Sequence, residues 1–392
     1  MIPSVVPKSR NHRISLIRLA FQEVYTSQEQ EKRERAQSIF SSVMTHPTNH
    51  TAHHIRKTRR LPFVLELLIS SILMMFVVSC EKGRILTSIT GSAHEILVVV
   101  DTQYRKTAAF RSLLDSLQTD IPGLPQSEPT LSVSICSPAD FTSMLKPTRN
   151  ILIVEINPNK YTHNELFVSK DRWAEPQSVL RIATPSSDSL QSFIRIKGRR
   201  ITDHFVQAEA DREIAFLRKH NHKGMGELVK DLFGFTILIP TEISLSKKSN
   251  KDSALWLSSG NRPVRQDLLI YTYPYTSQAQ LRPDSLDARR DSVCRHLIAG
   301  PVNGSYMGTE KQYDHPVHRQ LTVNGAYCDE ARGLWKVIGN VTMGGPYVSR
   351  TFIDQKNQRI ITVEGFVYAP QQKKRAHIRQ LEACLQTFRL EE

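Results

Sequence analysis

Apolar residues in this chain fall into two kinds of run. Short continuous or alternating runs predict strands, and stripes at three- and four-residue spacing predict helices. Glu95–Asp101 (EILVVVD) is the first buried-strand pattern. Ala108–Gln118 follows it with Phe110, Leu113, Leu114 and Leu117 on one helical face. Ile121–Pro129 holds three prolines and a glycine and predicts a loop. Leu131–Cys136, Asn150–Asn157 and Val179–Ala183 are further strands. Thr184–Asp188 marks a turn and a helix start. From Leu190 to about His220 the pattern is helical, broken near Gly198, with Arg199, Arg200, Arg212, Arg218 and Lys219 expected on a solvated face.

The second half repeats the mixture. Gly234–Ser244 and Ala254–Ser258 read as paired strands around a polar loop at Lys247–Asp252. Asp267–Tyr273 is a strand, and Asp284–Leu297 a helix with Asp284 at its cap. Leu321–Asp329, Gly333–Val341, Tyr347–Asp354 and Arg359–Tyr368 predict strands. Lys373–Phe388 predicts a terminal helix with Ile378, Leu381 and Leu385 on one face. The expected class is α+β: two halves of mainly antiparallel sheet with helices packed on one face, at residues 94–245 and 246–392.

The longest apolar run, Leu61–Ser79, lies ahead of all this. Arg56, Lys57, Arg59 and Arg60 precede it and Cys80 follows it. Pro62 and Glu66 shorten its clean part to Leu67–Val78, which suits a signal-peptide core better than a membrane span. Residues 56–80 are therefore expected to be a secretory signal, with Val77-Val78-Ser79-Cys80 similar to a bacterial lipobox and Cys80 the lipidated residue. Residues 81–93 would be a tether. Residues 1–55 read as a non-native or disordered extension, with Met44 an alternative start. A transmembrane anchor with a cytoplasmic basic arm is the competing expectation.

Charge supports that division. The formal net charge is +14, but half the excess sits in the first sixty residues. The remainder is only mildly basic, which argues against nucleic acid as a partner. With Cys80 set aside, Cys136, Cys294, Cys328 and Cys384 match no zinc spacing, and their pairing is left open.

Several strings in the chain are unusual: Arg290-Asp-Ser, Gly300–Glu310 (GPVNGSYMGTE), Arg332-Gly-Leu-Trp335, Met343–Ser349 (MGGPYVS) and Glu364–Pro370 (EGFVYAP). With Leu124–Pro129 and Trp173–Gln177, they resemble an uncharacterised lipoprotein family of the Bacteroidetes, domain-of-unknown-function family 4837. The resemblance runs over roughly residues 80–390. It implies an envelope lipoprotein on the periplasmic or outer side of a membrane. It implies no activity, cofactor or catalytic residue.

Candidate chemistry is sparse. Gly300–Glu310 is glycine-rich but follows a helix and lacks the Gly-Lys-Ser/Thr ending of a phosphate loop. His315 and His318 flank Pro316 and read as surface-loop residues, with no metal site expected. Asp101 reads as a strand-ending turn residue. Gly304, Tyr306, Gly308, Glu310, Trp335 and Gly344 form a candidate binding loop. No catalytic residue, cofactor or metal is expected. The expected function is an envelope-anchored binding or structural module with an envelope protein or polymer as partner. The alternative is an enzyme with its site around Gly304–Asp314.

Overall fold

Burial is nearly continuous along the first strand, and the computed structural model shows why. It describes residues 86–391, apart from 250, 252, 324 and 325. Strand β1 (Glu95–Val100) leads into helix α1 (Ala108–Leu117), then β2 (Ser132–Cys136), β3 (Asn150–Ile156), β4 (Glu165–Lys170) and β5 (Ser178–Thr184). Helix α2 (Ser187–Lys219) completes the first half. The sheet order is β2-β1-β3-β5-β4. Ile96, Val98 and Val100 face α1 and α2, while Leu97 and Val99 face a smaller cluster with Phe141, Leu145 and Trp173.

The mixed α+β class is as the sequence predicts, but strand direction in this half is not. Three of the four neighbouring pairs are parallel, and only the edge strand β4 runs antiparallel. Both faces of β1 are covered, which is the setting in which parallel strands occur. Helix α2 is also unbroken at Gly198. A side chain there would place its Cβ 2.6 Å from Ser116 Oγ, so Gly198 lets α1 and α2 pack closely.

The second half begins with α3 (Lys223–Phe233) and continues through β6 (Leu245–Ser249), β7 (Ala254–Ser258), β8 (Arg265–Pro274), α4 (Pro283–Leu297), β9 (Tyr306–Thr309), β10 (Val317–Val323), β11 (Ala326–Ile338), β12 (Gly344–Asp354), β13 (Arg359–Tyr368) and α5 (Arg375–Gln386). Its sheet is antiparallel in the order β9-β11-β12-β13-β8-β7-β6, with β10 also paired to β11. Strand β13 is buried at nearly every position. Helices accordingly cover both faces, not one: α3 and α5 pack on Ile361, Val363 and Val367, and α4 on the face of Tyr271, Trp335 and Phe366. Asp284 is the second residue of α4; Arg282 is the cap and Pro283 opens the helix. Phe235, Ile237, Ile239 and Ile243 bury in this core mostly as irregular chain, so only Phe235–Thr236 of the expected Gly234–Ser244 strand forms. The partner of β7 is β6.

Helix α2 links the two halves. Leu190, Ile194, Ile201 and Phe205 belong to the first core, and Leu217 to the second. The change of core thus falls toward the end of α2. A second joint is Glu128, whose carboxylate accepts from the backbone N–H groups of Lys374 and Arg375 at 2.7 and 3.1 Å. It satisfies the free donors at the start of α5, where no local side chain does so. Gly123 meets β11 closely, its notional Cβ 2.9 Å from Gly333 N. Both halves belong to one compact unit. Among the described residues no helix is long and apolar enough to cross a membrane.

Candidate functional site

Between α2 and the start of β3 on one side, and β10, β11, β12 and α5 on the other, lies a cleft of about 810 Å³. Its volume is that of a small-molecule site. It opens at the N-terminal ends of the parallel strands, not at their C-terminal ends where open α/β sheets usually bind ligands. What makes it unusual is its charge.

On the first wall, Glu209 of α2 is buried. Arg149 donates to it through Nε and Nη2 at 2.8 and 2.6 Å, Arg212 through Nη1 at 2.8 Å and Asn150 through Nδ2 at 2.6 Å. On the opposite wall, Glu330 of β11 accepts from Arg319, Arg332 and Arg350 at 2.9–3.2 Å. Arg332 also donates to Glu382 of α5, which accepts from Arg379 at 2.7 Å. Burial alone would raise the carboxyl pKa of Glu382, but Arg332 and Arg379 outweigh it and hold the group down at about 2. Glu330 is likewise held low, by Arg332 and Arg350 against its burial. Glu213 has only Gln380 as donor, at 3.0 Å, and burial pushes its pKa up.

Glu209, Glu330 and Glu382 thus meet six guanidinium groups on the cleft walls, with Glu213 as a fourth carboxyl group beside Gln380. The remaining acids of the lining, Asp120 and Asp203, are exposed at the rim, where Arg199 pairs with Asp203. His94, 6% exposed, sits in the left-handed region with φ 64° just before β1. Its Nδ1 has no hydrogen-bond partner. Desolvation lowers its pKa to about 4, so the ring is neutral near pH 7. Arg379 Nε is buried without a partner as well. Phe216 and Val317, about half exposed, supply an apolar part of the lining with Val206 and Ala210. The cleft can hold an anion against fixed donors, and it can seat an apolar group. It shows no nucleophile with an adjacent base.

The sequence-predicted residues lie elsewhere. Cys80 falls outside the described residues. Gly304 makes an open turn with φ +78°. Tyr306 stacks under Arg295, whose guanidinium is 5.1 Å from the ring centre. Gly308 and Gly344 permit close strand contacts, with notional Cβ atoms 2.9 Å from Ile338 Cγ1 and 2.5 Å from Trp335 O. Trp335 is core, its indole N–H donating to Val367 O at 3.2 Å. Glu310 accepts from the backbone N–H groups of Gln312 and Tyr313 and pairs with Lys336 at 3.0 Å. The sheet register does bring these residues together, since Thr309 lies opposite Trp335 and Lys336 opposite Gly344. They form packing and turn contacts beside a shallow depression of about 420 Å³ with Asp291 and Arg295. Asp291 and Glu310 are both stabilised as anions there: hydrogen bonds from Thr309 and Lys311, and from Gln312 and Lys336, outweigh burial. That is the opposite of what a general acid needs.

His318 is not a surface-loop residue. It lies on β10 between Asp329, 2.7 Å from Nδ1, and Asp287, 3.2 Å from Nε2. Burial would lower its pKa, but the two carboxylates raise it to about 9. Asp101 caps a short turn, accepting from Gln103 N at 3.1 Å. Cys136, Cys294, Cys328 and Cys384 are buried free thiols. No cluster of potential metal ligands occurs among the described residues.

Comparison with known proteins gives similarity to two families, neither with a stated activity. Residues 223–387 match the family "Domain of unknown function (DUF4837)". Residues 89–218 match a second one, "Domain of unknown function (DUF8532)". The resemblance seen in the sequence thus holds for family 4837 over the second half, while the first half matches a separate family. No curated protein matches. A crystal structure from Bacteroides thetaiotaomicron VPI-5482 is 7% identical, with 41% of this chain and 46% of that one covered and a TM-score of 0.23. The human StarD13 (DLC2) lipid transfer and protein localization domain is 9% identical, with 42% and 92% covered and a TM-score of 0.18. The chain spans less than half of the first of these structures, and at such scores neither carries an argument. The two family matches meet between residues 218 and 223, where α2 gives way to α3, so the first half is similar to DUF8532 and the second to DUF4837.

Proposed function

We propose that this protein is a ligand-binding module, held at a membrane of the cell envelope by a lipid on Cys80, whose binding site is the cleft between its halves. The observation that carries the cleft reading is a buried ring without a partner: His94 lines a cavity of small-molecule size, and its Nδ1 is unsatisfied. Buried polar atoms are nearly always hydrogen-bonded, and a bound molecule is the simplest partner here. The anchor rests on the sequence alone, on the basic cluster, the apolar run and the lipobox-like Val77–Cys80. An envelope protein or polymer would reach the cleft from outside. The enzyme alternative around Gly304–Asp314 gains no support from ionised, hydrogen-bonded acids.

The test is native mass spectrometry of the full chain isolated from membranes, beside an Ala210→Trp variant that fills the cleft. A bound small molecule lost from the variant supports the reading. Equal retention in both, or a bare wild type, counts against it. Labelling with a clickable fatty acid, lost in Cys80→Ala, tests the anchor separately.

A further inference from the structure

Resting on the cleft reading, we infer that the ligand is a multiply charged oxyanion on an organic body: phosphate or carboxylate groups seated on the surplus guanidinium groups, with the apolar part against Phe216, Val206 and Val317.

Charge balance comes first. Four carboxyl groups of the walls, Glu209, Glu213, Glu330 and Glu382, face six guanidinium groups, Arg149, Arg212, Arg319, Arg332, Arg350 and Arg379, a surplus of two even with every carboxyl ionised. Five of these six arginine side chains are 15% exposed or less, so most of their charge is withheld from bulk water. Buried charges are normally paired, and an excess of this kind calls for a counter-anion.

The arginines are not equivalent. Arg212 is consumed by structure, since it also donates to Pro176 O, Asn150 Oδ1 and Arg149 O. Arg332 spends its fork bridging Glu330 and Glu382. Arg379 differs, because it donates through Nη1 to Glu382 while its Nε is buried and unpartnered. Arg319 donates through Nη2 to Glu330 and is half exposed at the cleft. Arg379 and Arg319 are the groups with donor capacity to spare, and planar forks of this kind match phosphate and carboxylate.

His94 adds selectivity. The neutral imidazole offers one donor and one acceptor, and its environment contains Glu209 and Glu382 as well as Arg375 and Arg379. A donor position next to the guanidinium groups suits a second oxygen of the same anion. The half-exposed Phe216 and Val317 explain why an inorganic ion alone would leave part of the cleft empty.

The experiment is isothermal titration of the full chain with inorganic pyrophosphate, citrate and chloride, and flotation with phosphatidic acid vesicles against phosphatidylcholine vesicles. Pyrophosphate and citrate are expected to bind and chloride not. Affinity should fall about tenfold in Arg319→Gln and in Arg379→Gln. His94→Asn, chosen because Asn tolerates the left-handed conformation, should weaken binding without unfolding the chain. Flotation with phosphatidic acid, lost in Arg379→Gln, assigns the anion to a lipid headgroup; solution binding without flotation assigns it to a free solute. Should no oxyanion bind at millimolar concentration, or should the arginine variants bind as well as the wild type with melting temperatures unchanged, the inference is overturned. A neutral molecule co-purified with the wild type and displaced by Ala210→Trp would then leave the cleft reading standing. Its absence would remove both.

Discussion

Two of the buried arginine–carboxylate groupings among the described residues are built on opposite principles. Under α4, Arg290 donates through Nε and Nη2 to both oxygens of Glu364 at 2.7 Å, and through Nη1 to Thr309 at 2.8 Å. The ring of Tyr347 closes it off, 3.9 Å from the guanidinium carbon. The charges balance: Arg290 meets Glu364, both 2% exposed or less, and Asp291, 3.9 Å from Arg290, is paired with Lys311 at 3.0 Å. In the cleft, six guanidinium groups stand against four carboxyl groups beside an open volume. The balanced cluster ties α4 to β13 across the second sheet. The unbalanced one is complete only when something else enters. Balance and closure together, not burial alone, separate an ion pair that holds a fold from one that waits for a ligand.

The sharpest way to break the comparison is to remove one carboxylate from each. Glu364→Gln leaves buried Arg290 with only the partly exposed Asp291 at 3.9 Å, and the expected cost is about 3–5 kcal/mol of stability, the range for breaking a buried pair. Glu330→Gln leaves Arg350, Arg332 and Arg319 with Glu382 and the open cleft, and about 1–2 kcal/mol is expected. Urea unfolding of the three proteins measures both. Equal costs would place the cleft cluster among the structural pairs.

Much of the fold was legible, and the site was not, for identifiable reasons. Continuous apolar runs such as Glu95–Asp101 and Arg359–Tyr368 mark strands correctly because nearly every position within the strand is buried. Helix α3 was missed because Gly224 and Gly226 dilute its helical signal, although His222 caps its start and Gly234, at φ 65°, ends it. Strand β4 was missed as a short, half-exposed edge. The candidate loop drew attention through its glycines, and Gly308 and Gly344 proved to serve strand contacts. The cleft drew none, because its members come from six separate elements. A signal did exist. Glu209 continues the buried stripe Ile194, Ile201 and Phe205 on α2, and Glu382 sits beside Leu381 and Leu385 on α5. A carboxylate on an apolar stripe requires a buried partner. The sequence could show that need but not which arginines meet it.

Acidity separates the regions next. His94 is held neutral, its pKa depressed to about 4 by desolvation. Its contribution is full above the unfolded value near 6.5 and is lost as pH falls toward 4, up to about 3 kcal/mol. Glu382, depressed to about 2, contributes fully above its unfolded value near 4.5 and loses that as pH falls through 2. His318 behaves the other way. Raised to about 9, its contribution is full below 6.5 and disappears as pH rises through 9. Urea midpoints at pH 4, 6.5 and 9 should therefore fall on both sides of the middle value. His94→Asn should flatten the acid side only, and His318→Asn the alkaline side only. An acid slope unchanged in His94→Asn would mean that the ring is not held neutral in the cleft.

The smallest expected stability effect is the most informative. Arg319 is half exposed, and Glu330 keeps Arg332 and Arg350 when it is gone. Arg319→Gln should change unfolding free energy by no more than about 0.5 kcal/mol, as for an exposed ion pair. The same substitution removes spare donors from the cleft, so its effect on oxyanion affinity should be far larger than its effect on folding. Glu364→Gln should show the reverse, a large loss of stability and no specific change in binding while folded. Measured side by side by urea unfolding and titration with pyrophosphate, the two variants place each cluster on its own axis. A change in stability for Arg319→Gln as large as its change in affinity would mean that the cleft arginines serve the fold alone.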